Sequence, residues 1–377
     1  MPQTAMCLGC DDKRLGVQPA NSKNQFTNHT FSAVLAIFVL KFFMKRLSCV
    51  LVLMGLFSCK KDKEEQCAFV PDTKRIAIDL QIESLEDSVS SITTKTQLVN
   101  FLTHHPVLRD HFFGRAGYPG DSIFINELYH RFTSPHLDTL LMETHRVFGD
   151  LSDLKKEFGQ AFANIKYYYP DFQPPKIQTI LSGLETDLLV SDTLIVIGLD
   201  YYLGSGAKYR PNTYEYMLRR YKKDFIVPSV LLLYGIDPNF NKTELIDKTV
   251  LADMIAYGKA YYFAKHMLPC VADSVFIGYT AEEINGARQN ESLIYVRLIE
   301  NEVLYSTSHQ IKQHYLDERP KTLEVGEKCP GRIATWTGWQ IVNAFAEHHP
   351  DKTLPQIMDQ SQANGFFKDS KYRPVKK

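Results

Sequence analysis

Histidine side chains are the first residues of this chain to consider for chemistry, because they bind metals and transfer protons near neutral pH. They include two adjacent pairs, His104-His105 and His348-His349. Neighbouring side chains point apart on a helix or a strand, so neither pair suits a single ion. The zinc-peptidase sequence His-Glu-x-x-His, which places two ligands one helical turn apart, occurs nowhere in the 377 residues. We therefore expect no bound metal and no other cofactor.

Other familiar catalytic patterns are incomplete. The loop Gly204-Ser205-Gly206 lacks the following Gly and Lys of a phosphate-binding loop, and no Gly-x-Ser-x-Gly turn indicates a serine hydrolase. Cys7 and Cys10 form a Cys-x-x-Cys, but no second pair accompanies them at zinc-ribbon spacing. These patterns therefore predict no catalytic residue.

Two charged residues occupy positions where a functional role and a structural role are both reasonable. Asp200 follows a predicted buried strand and precedes a glycine-containing loop, so its carboxylate could bind a ligand or cap the turn. Arg332 follows Pro330-Gly331 at a predicted helix start, which is the unfavourable end of the helix dipole for a cation. Arg332 therefore needs a buried acidic partner or a bound anion, and we favour the acidic partner.

The segment from Met44 to Cys59 has the pattern of a secretory signal. Lys45 and Arg46 precede an uncharged run, Leu47–Phe57, that is too short to span a membrane. Its ending, Leu-Phe-Ser-Cys, resembles the lipobox of bacterial lipoproteins, in which the cysteine is acylated and becomes the first residue of the mature protein. The resemblance predicts lipidation of Cys59 and a membrane anchor; the alternatives are an uncleaved anchor or a buried apolar helix.

The signal divides the chain into regions. Residues 1–43 precede a complete signal, so we expect them to be a non-native extension and the true start to be Met44. Residues 44–58 are the predicted signal peptide. Residues 59–75 begin with a charged run and are predicted to be a solvated tether. Residues 76–377 are predicted to form a single domain.

The charge balance and the cysteine content restrict the partners and the cellular compartment that suit this chain. The chain has 43 basic and 43 acidic side chains, and this balance argues against nucleic acid as a partner. Three cysteines, Cys67, Cys270 and Cys329, follow the proposed lipidation site. An oxidising compartment allows one disulfide among them, and the sequence does not choose the pair.

Hydrophobic patterning after the tether predicts an α+β, mostly helical domain with a small central sheet. The predicted strands are Ile76–Leu85, Lys176–Ser182 and Thr193–Leu199. The predicted helices are Ser88–Phe113 broken at Pro106, Asp121–Arg131, Leu137–Phe148, Leu151–Tyr168, Tyr214–Asp224, Pro228–Gly235, a long one from Thr243 or Leu245 to Leu268, one or two over Ala281–Ser306, and Pro330–Glu347 with Trp336 and Trp339 near its inner face.

Five motifs occur in order behind the signal: IGLDYYLG (Ile197–Gly204), MIAYGKAYYF (Met254–Phe263), IGYT (Ile277–Thr280), NESLIYVRLIENEVLYST (Asn290–Thr307) and PGRIATWTGWQIV (Pro330–Val342). Together they resemble the gliding-motility lipoprotein GldB family of Bacteroidetes. The resemblance covers nearly the whole mature chain. It implies a periplasm-facing lipoprotein required for gliding, a process tied in that phylum to type IX secretion.

That family is in turn similar to gluzincin-type zinc peptidases, so the resemblance implies a zincin-like, degenerate gluzincin fold. The corresponding helix, Lys248–Leu268, offers Tyr257, Gly258 and Lys259 where a peptidase needs ligands. Glu300 and Glu302 fall where such an enzyme places its third ligand. The resemblance thus implies a non-catalytic relative whose former cleft is lined by Asp200, Tyr257, Lys259, Glu300 and Arg332.

The expected function is that of an accessory or scaffold factor of the gliding and secretion machinery, with protein partners and a membrane contact through acylated Cys59. We expect it to face the periplasm or the cell surface. One alternative is an envelope-tethered peptidase or hydrolase with an atypical site. Another is a carbohydrate-binding lipoprotein, which the 20 Tyr and 23 Phe would suit.

Overall fold

The computed structural model describes Cys67 and residues 69–374. These residues belong to one compact unit, Glu65–Lys377. The predictions for residues 1–43, for the signal segment and for Cys59 lie outside the described residues. None of the helices within 69–374 is both long enough and apolar enough to cross a membrane.

Within the described residues, the strands form one four-stranded mixed sheet. The strands are β1 (Ile82–Ser84), β2 (Lys176–Ile180), β3 (Leu188–Val190) and β4 (Leu194–Gly198), in the order β1-β2-β4-β3. The pairs β1–β2 and β2–β4 are parallel, and β3 pairs with β4 in the antiparallel direction. The two inner strands are rich in isoleucine and buried on both faces, as helices covering both faces of a sheet require.

The first group of helices lies between β1 and β2 in the chain. They are α1 (Glu86–Ser90), α2 (Lys95–His104), α3 (Asp121–Phe132), α4 (Leu137–Phe148) and α5 (Ser152–Tyr168), with a π-helical turn at Leu108–Phe112. The side chain of Thr94 begins α2 with a capping box that includes Gln97. Much of this region shares a small hydrophobic cluster with Val196 of β4.

The larger hydrophobic core is formed by the helices that follow β4 together with α4, α5 and the inner strands β2 and β4. The helices after β4 are α6 (Glu215–Leu218), α7 (Ile226–Ile236), α8 (Val250–Met267), α9 (Asp273–Ile277), α10 (Ala281–Gln289), α11 (Glu291–Glu300), α12 (His309–Tyr315), α13 (Ile333–His348), α14 (Leu354–Met358) and α15 (Ala363–Ser370). Helix α8 lies in this core and packs against both α7 and α13. Trp336 and Trp339 of α13 are buried, as predicted.

The observed architecture confirms a mostly helical α+β domain with a small sheet, and it corrects several element boundaries. The first strand covers only Ile82–Ser84, because only these residues pair with β2. The helix predicted at Tyr214–Asp224 is reduced to Glu215–Leu218 followed by a 3₁₀ turn at Lys223–Phe225. Helix α8 begins only at Val250, where the Thr249 hydroxyl accepts the hydrogen bond that caps it.

Candidate partner-binding surface

Three of the sequence motifs meet around the start of α13. The hydroxyl of Tyr279, from the IGYT motif, donates a hydrogen bond of 2.6 Å to the carbonyl oxygen of Gly331. The guanidinium of Arg332 donates to the carbonyl oxygen of Ile277 in the same motif, and at 3.4 Å to the hydroxyl of Tyr261 on α8. The MIAYGKAYYF, IGYT and PGRIATWTGWQIV motifs therefore meet in one mostly buried cluster.

Arg332 has the acidic partner that its sequence position requires. Its Nε lies 3.2 Å from Oε2 of Glu318, and the same oxygen lies 2.7 Å from Nη2 of Arg220. One carboxylate thus joins two guanidinium groups, both of which are mostly shielded from solvent. Such charge-assisted contacts hold the loop before α13 against the 3₁₀ region near Arg220.

The backbone at Arg332 is in the left-handed region, with φ of 59°. A side chain other than glycine is strained in this conformation, and such strain is common at functional sites. Burial by itself would lower the pKa of the Arg332 guanidinium, but the neighbouring Tyr261 and Glu318 oppose this effect and hold the pKa above its ordinary value. Arg332 therefore stays a cation in a partly buried position.

Tyr257 lies next to this cluster and is 40% exposed. Burial of the rest of the side chain raises the pKa of the Tyr257 hydroxyl. Asp253 and Tyr261 add to this shift, and Arg332 opposes it. Asp253 is held by Lys312 of α12 at 2.6 Å. Burial and the nearby Glu318 raise the pKa of the half-buried Tyr216, and Arg220 and Arg332 oppose this shift. The name Arg332 surface is used below for Tyr257, Arg332, Glu318, Arg220 and Tyr216.

Lys259 has a different environment from Tyr257, although it is only two residues away. Its side chain is 0% exposed. Its Nζ donates to the Thr243 hydroxyl at 3.2 Å, to the Met358 carbonyl at 3.3 Å and to the Gln360 carbonyl, and it lies over the Phe366 ring. Burial lowers the pKa of this ammonium from its usual 10.5 to about 7. Lys259 therefore fastens the α14–α15 connection to α8.

Asp200 is also fully buried and caps a turn, the structural role that its sequence position allowed. Its carboxylate accepts hydrogen bonds from the backbone N–H of Ser182 at 2.8 Å and of Leu184 at 2.7 Å. Burial raises the pKa of this carboxyl, while the two backbone donors and the Ser182 hydroxyl oppose the increase. These contacts join the end of β2 to the 3₁₀ turn at Leu199–Tyr202 that follows β4.

Glu300 lies at the end of α11 with its side chain 53% exposed and pairs with Arg297 at 2.9 Å. The five residues predicted to line one cleft thus have separate sets of contacts, and only Tyr257 and Arg332 share neighbours. Three residues of the Arg332 surface, Glu318, Arg220 and Tyr216, were not singled out from the sequence. Glu318 lies in a predicted loop, and Arg220 and Tyr216 lie in the helix predicted at Tyr214–Asp224, so their proximity to Arg332 depends on the tertiary fold.

The described residues contain no group of three or more His, Cys, Asp and Glu side chains arranged to hold a metal. Of the three cysteines left open by the sequence, Cys67 and Cys270 form a disulfide across 203 residues. Cys329 is a free thiol, and burial raises its pKa to about 12. This thiol is therefore poorly suited to act as a nucleophile.

The fold and this surface define a mostly helical α+β protein with closely packed central helices and an ionic and aromatic cluster at the start of α13. The family model described as gliding motility protein GldB matches residues 66–374, and the chain belongs to this family. No curated protein and no solved structure matches the chain. Membership implies involvement in gliding motility and, because this is a lipoprotein family, a membrane-anchored position in the cell envelope.

Proposed function

We propose that this protein is a non-catalytic accessory or scaffold factor of the gliding and type IX secretion machinery, anchored through acylated Cys59 and facing the periplasm. It acts by binding a protein partner at the Arg332 surface. The fold is proposed to be a degenerate zincin, in which α8 corresponds to the helix that carries the zinc ligands of a peptidase.

The observation that carries this proposal is the way in which α8 is packed. A Cβ added at Gly258 would lie less than 3.0 Å from the backbone of Gly338, so this part of α8 is covered by α13. The next residue, Lys259, is fully occupied by oxygen atoms from Thr243, Met358 and Gln360. A peptidase needs an open position beside its catalytic helix, whereas this stretch of α8 contributes its contacts to the interior.

The exposed residue of the same helix stretch, Tyr257, supports a binding role. Tyrosine and arginine are the residue types that most often dominate protein–protein interfaces, because they combine a large contact area with hydrogen bonding. Arg332 is held rigidly by Glu318 and by two further acceptors, so little side-chain entropy is lost when a partner binds. The disulfide supports a location in an oxidising compartment such as the periplasm.

The test is complementation of a deletion strain with Tyr257→Ala, scored by colony spreading and by type IX secretion. Tyr305→Ala is the matched control, because Tyr305 is an exposed tyrosine (59%) that follows α11. We expect Tyr257→Ala to reduce spreading at unchanged protein level and thermal stability, and Tyr305→Ala to retain it. Equal spreading by both variants would contradict the assignment of this surface.

Two further measurements test the remaining parts of the proposal. Labelled palmitate is expected to be incorporated by the wild type and not by Cys59→Ala, which should also leave the membrane fraction. Zinc analysis of the purified protein separates the scaffold from the alternative of an atypical envelope peptidase. A stoichiometric, tightly bound zinc ion would favour the peptidase.

A further inference from the structure

The disulfide determines where the chain leaves the folded domain. Cys67 is joined to Cys270, three residues after the end of α8 at Met267. Both cysteines are exposed. The chain between Cys67 and Thr73 then runs towards α5, where Gln160 donates a hydrogen bond of 3.4 Å to the Thr73 hydroxyl. The tether is thus fastened at the carboxyl-terminal end of α8.

The tether is short. Only eight residue steps separate Cys59 from Cys67, and a fully extended chain of that length spans about 29 Å at most. A flexible chain of the same length has an r.m.s. extension of roughly 16 Å. With Cys59 acylated, the Cys67–Cys270 disulfide is therefore confined to within one protein diameter of the lipid surface. At this range even a weak contact between the domain and the membrane is populated.

The end of the domain that carries the disulfide exposes apolar and aromatic side chains. Helix α5 ends beside α8, because Asn164 donates a hydrogen bond of 2.7 Å to the Met267 carbonyl and the ring of Tyr168 lies 6.0 Å from that of His266. Tyr167, next to Tyr168, is 42% exposed. Phe69 and Val70, directly after the disulfide, are 65% and 53% exposed.

We propose that this end, comprising Phe69, Val70, Tyr167 and Tyr168, is a membrane-contacting surface that rests in the headgroup region of the bilayer holding the anchor. Tyrosine and phenylalanine suit this layer, because their rings bury apolar area while the tyrosine hydroxyl stays hydrated. The occupant is a lipid surface, since the tether length places lipid within reach of these side chains. This proposal rests on the proposed acylation of Cys59.

The contact can be measured with tryptophan probes in the full-length acylated protein, reconstituted into phosphatidylethanolamine–phosphatidylglycerol vesicles with and without brominated acyl chains. The natural Trp336 and Trp339 are buried and give the same background in every variant. The probe is Phe69→Trp. The control is Tyr305→Trp, which lies at the other end of α8, because the neighbouring Ser306 carbonyl accepts from the Val250 N–H.

We expect brominated lipid to reduce the added emission of Phe69→Trp by at least about twofold and to leave that of Tyr305→Trp almost unchanged, since interfacial tryptophan lies at headgroup depth. Tyr167→Trp should be quenched as well, because its position is set by α5 and not by the tether. Unquenched emission from Phe69→Trp or from Tyr167→Trp, or equal quenching of Tyr305→Trp, overturns the proposal. Mass spectrometry of Cys59 separates the two hypotheses: intact acylation without quenching refutes this surface alone, and absent acylation refutes the anchor as well.

Discussion

Gly258 of α8 and Gly338 of α13 are in direct backbone contact. A Cβ built on Gly258 would lie less than 3.0 Å from the carbonyl group of Gly338, and one built on Gly338 would lie less than 3.0 Å from the carbonyl of Met254. Gly235 of α7 has the same relation to Ala260 on another side of α8. Helices α7, α8 and α13 therefore approach one another so closely that no side chain fits at Gly235, Gly258 or Gly338. This crossing forms the centre of the core.

The first prediction concerns this crossing. Gly338→Ala should lower the free energy of unfolding by about 3 kcal/mol, because the clash is with backbone atoms that cannot rotate away. Gly159→Ala is the matched control within helix α5, where an added Cβ meets nothing within 4 Å. It should raise the free energy of unfolding by roughly 0.5–1 kcal/mol, as alanine is the better helix former. Urea denaturation of both variants tests the pair, and equal changes would contradict the packing described.

The second prediction concerns Lys259 and pH. The pKa of its ammonium is 10.5 when unfolded and about 7 in the buried site, so between these values the unfolded chain binds more protons. The stability contribution of Lys259 therefore increases as pH rises above 7 and is smallest below 7. The free energy of unfolding of the wild type relative to Lys259→Met should rise by about 2 kcal/mol between pH 7 and pH 9, because the folded ammonium is still about half protonated at pH 7.

The measurement is a series of urea denaturation curves for wild type and Lys259→Met at several pH values. Comparing the two proteins at each pH removes the contribution of the other titrating groups. Lys248→Met is the control, because Lys248 is exposed and its Nζ donates at 2.6 Å to the nearby Leu245 carbonyl. Parallel profiles for wild type and Lys259→Met would contradict the buried position of this ammonium.

The third prediction compares two arginine–glutamate pairs of different burial. Arg332→Gln should lower the free energy of unfolding by about 2 kcal/mol, because Glu318 loses one partner and the Ile277 carbonyl loses its donor. Arg297→Gln removes the exposed pair with Glu300 and should cost no more than about 0.5 kcal/mol. Thermal and urea denaturation of the two variants measure this difference.

A third variant at this site separates the ion pair from the backbone strain. Arg332→Gly loses the same contacts as Arg332→Gln, but glycine adopts a φ of 59° without steric cost. Arg332→Gly should therefore be more stable than Arg332→Gln by about 1 kcal/mol. If the glutamine variant is the more stable of the two, the left-handed conformation carries no strain at this position.

An element of this fold could be predicted from the sequence where its own residues carry the pattern, and could not where the element depends on a neighbour in the folded chain. The runs Lys176–Ile180 and Leu194–Gly198 are short, isoleucine-rich and buried, so their strand character is evident without tertiary information. Strand β3 has only three half-buried residues and exists because β4 offers it an edge. Its residues carry no pattern that distinguishes them from a loop.

The candidate site was only partly predictable for a similar reason. The position of Arg332 at a helix start indicates that an acidic partner is needed, which is a local argument. The identity of that partner as Glu318 depends on how the segment after α12 returns to α13. Lys259 is a second example of a role that local sequence does not reveal. It lies two residues from Tyr257 on α8, yet the two side chains have different surroundings. The three oxygen partners of Lys259 come from Thr243, 16 residues before it, and from Met358 and Gln360, 99 and 101 residues after it.

The fourth prediction concerns the disulfide. The bond closes a loop spanning 203 residues, so removing it releases a large amount of chain entropy in the unfolded state. Cys67→Ser with Cys270→Ser should lower the free energy of unfolding by about 2–5 kcal/mol. Dithiothreitol should destabilise the wild type by a similar amount and leave the double variant unchanged.

Cys329→Ser is the control for this experiment. The Cys329 thiol is free, and with its pKa raised to about 12 by burial it should react slowly with iodoacetamide in the folded protein and rapidly after unfolding. Cys329→Ser should therefore remain as sensitive to dithiothreitol as the wild type. Loss of reductant sensitivity in the double variant and not in Cys329→Ser would show that the bond between Cys67 and Cys270, at the point where the tether meets the domain, is the one that stabilises the fold.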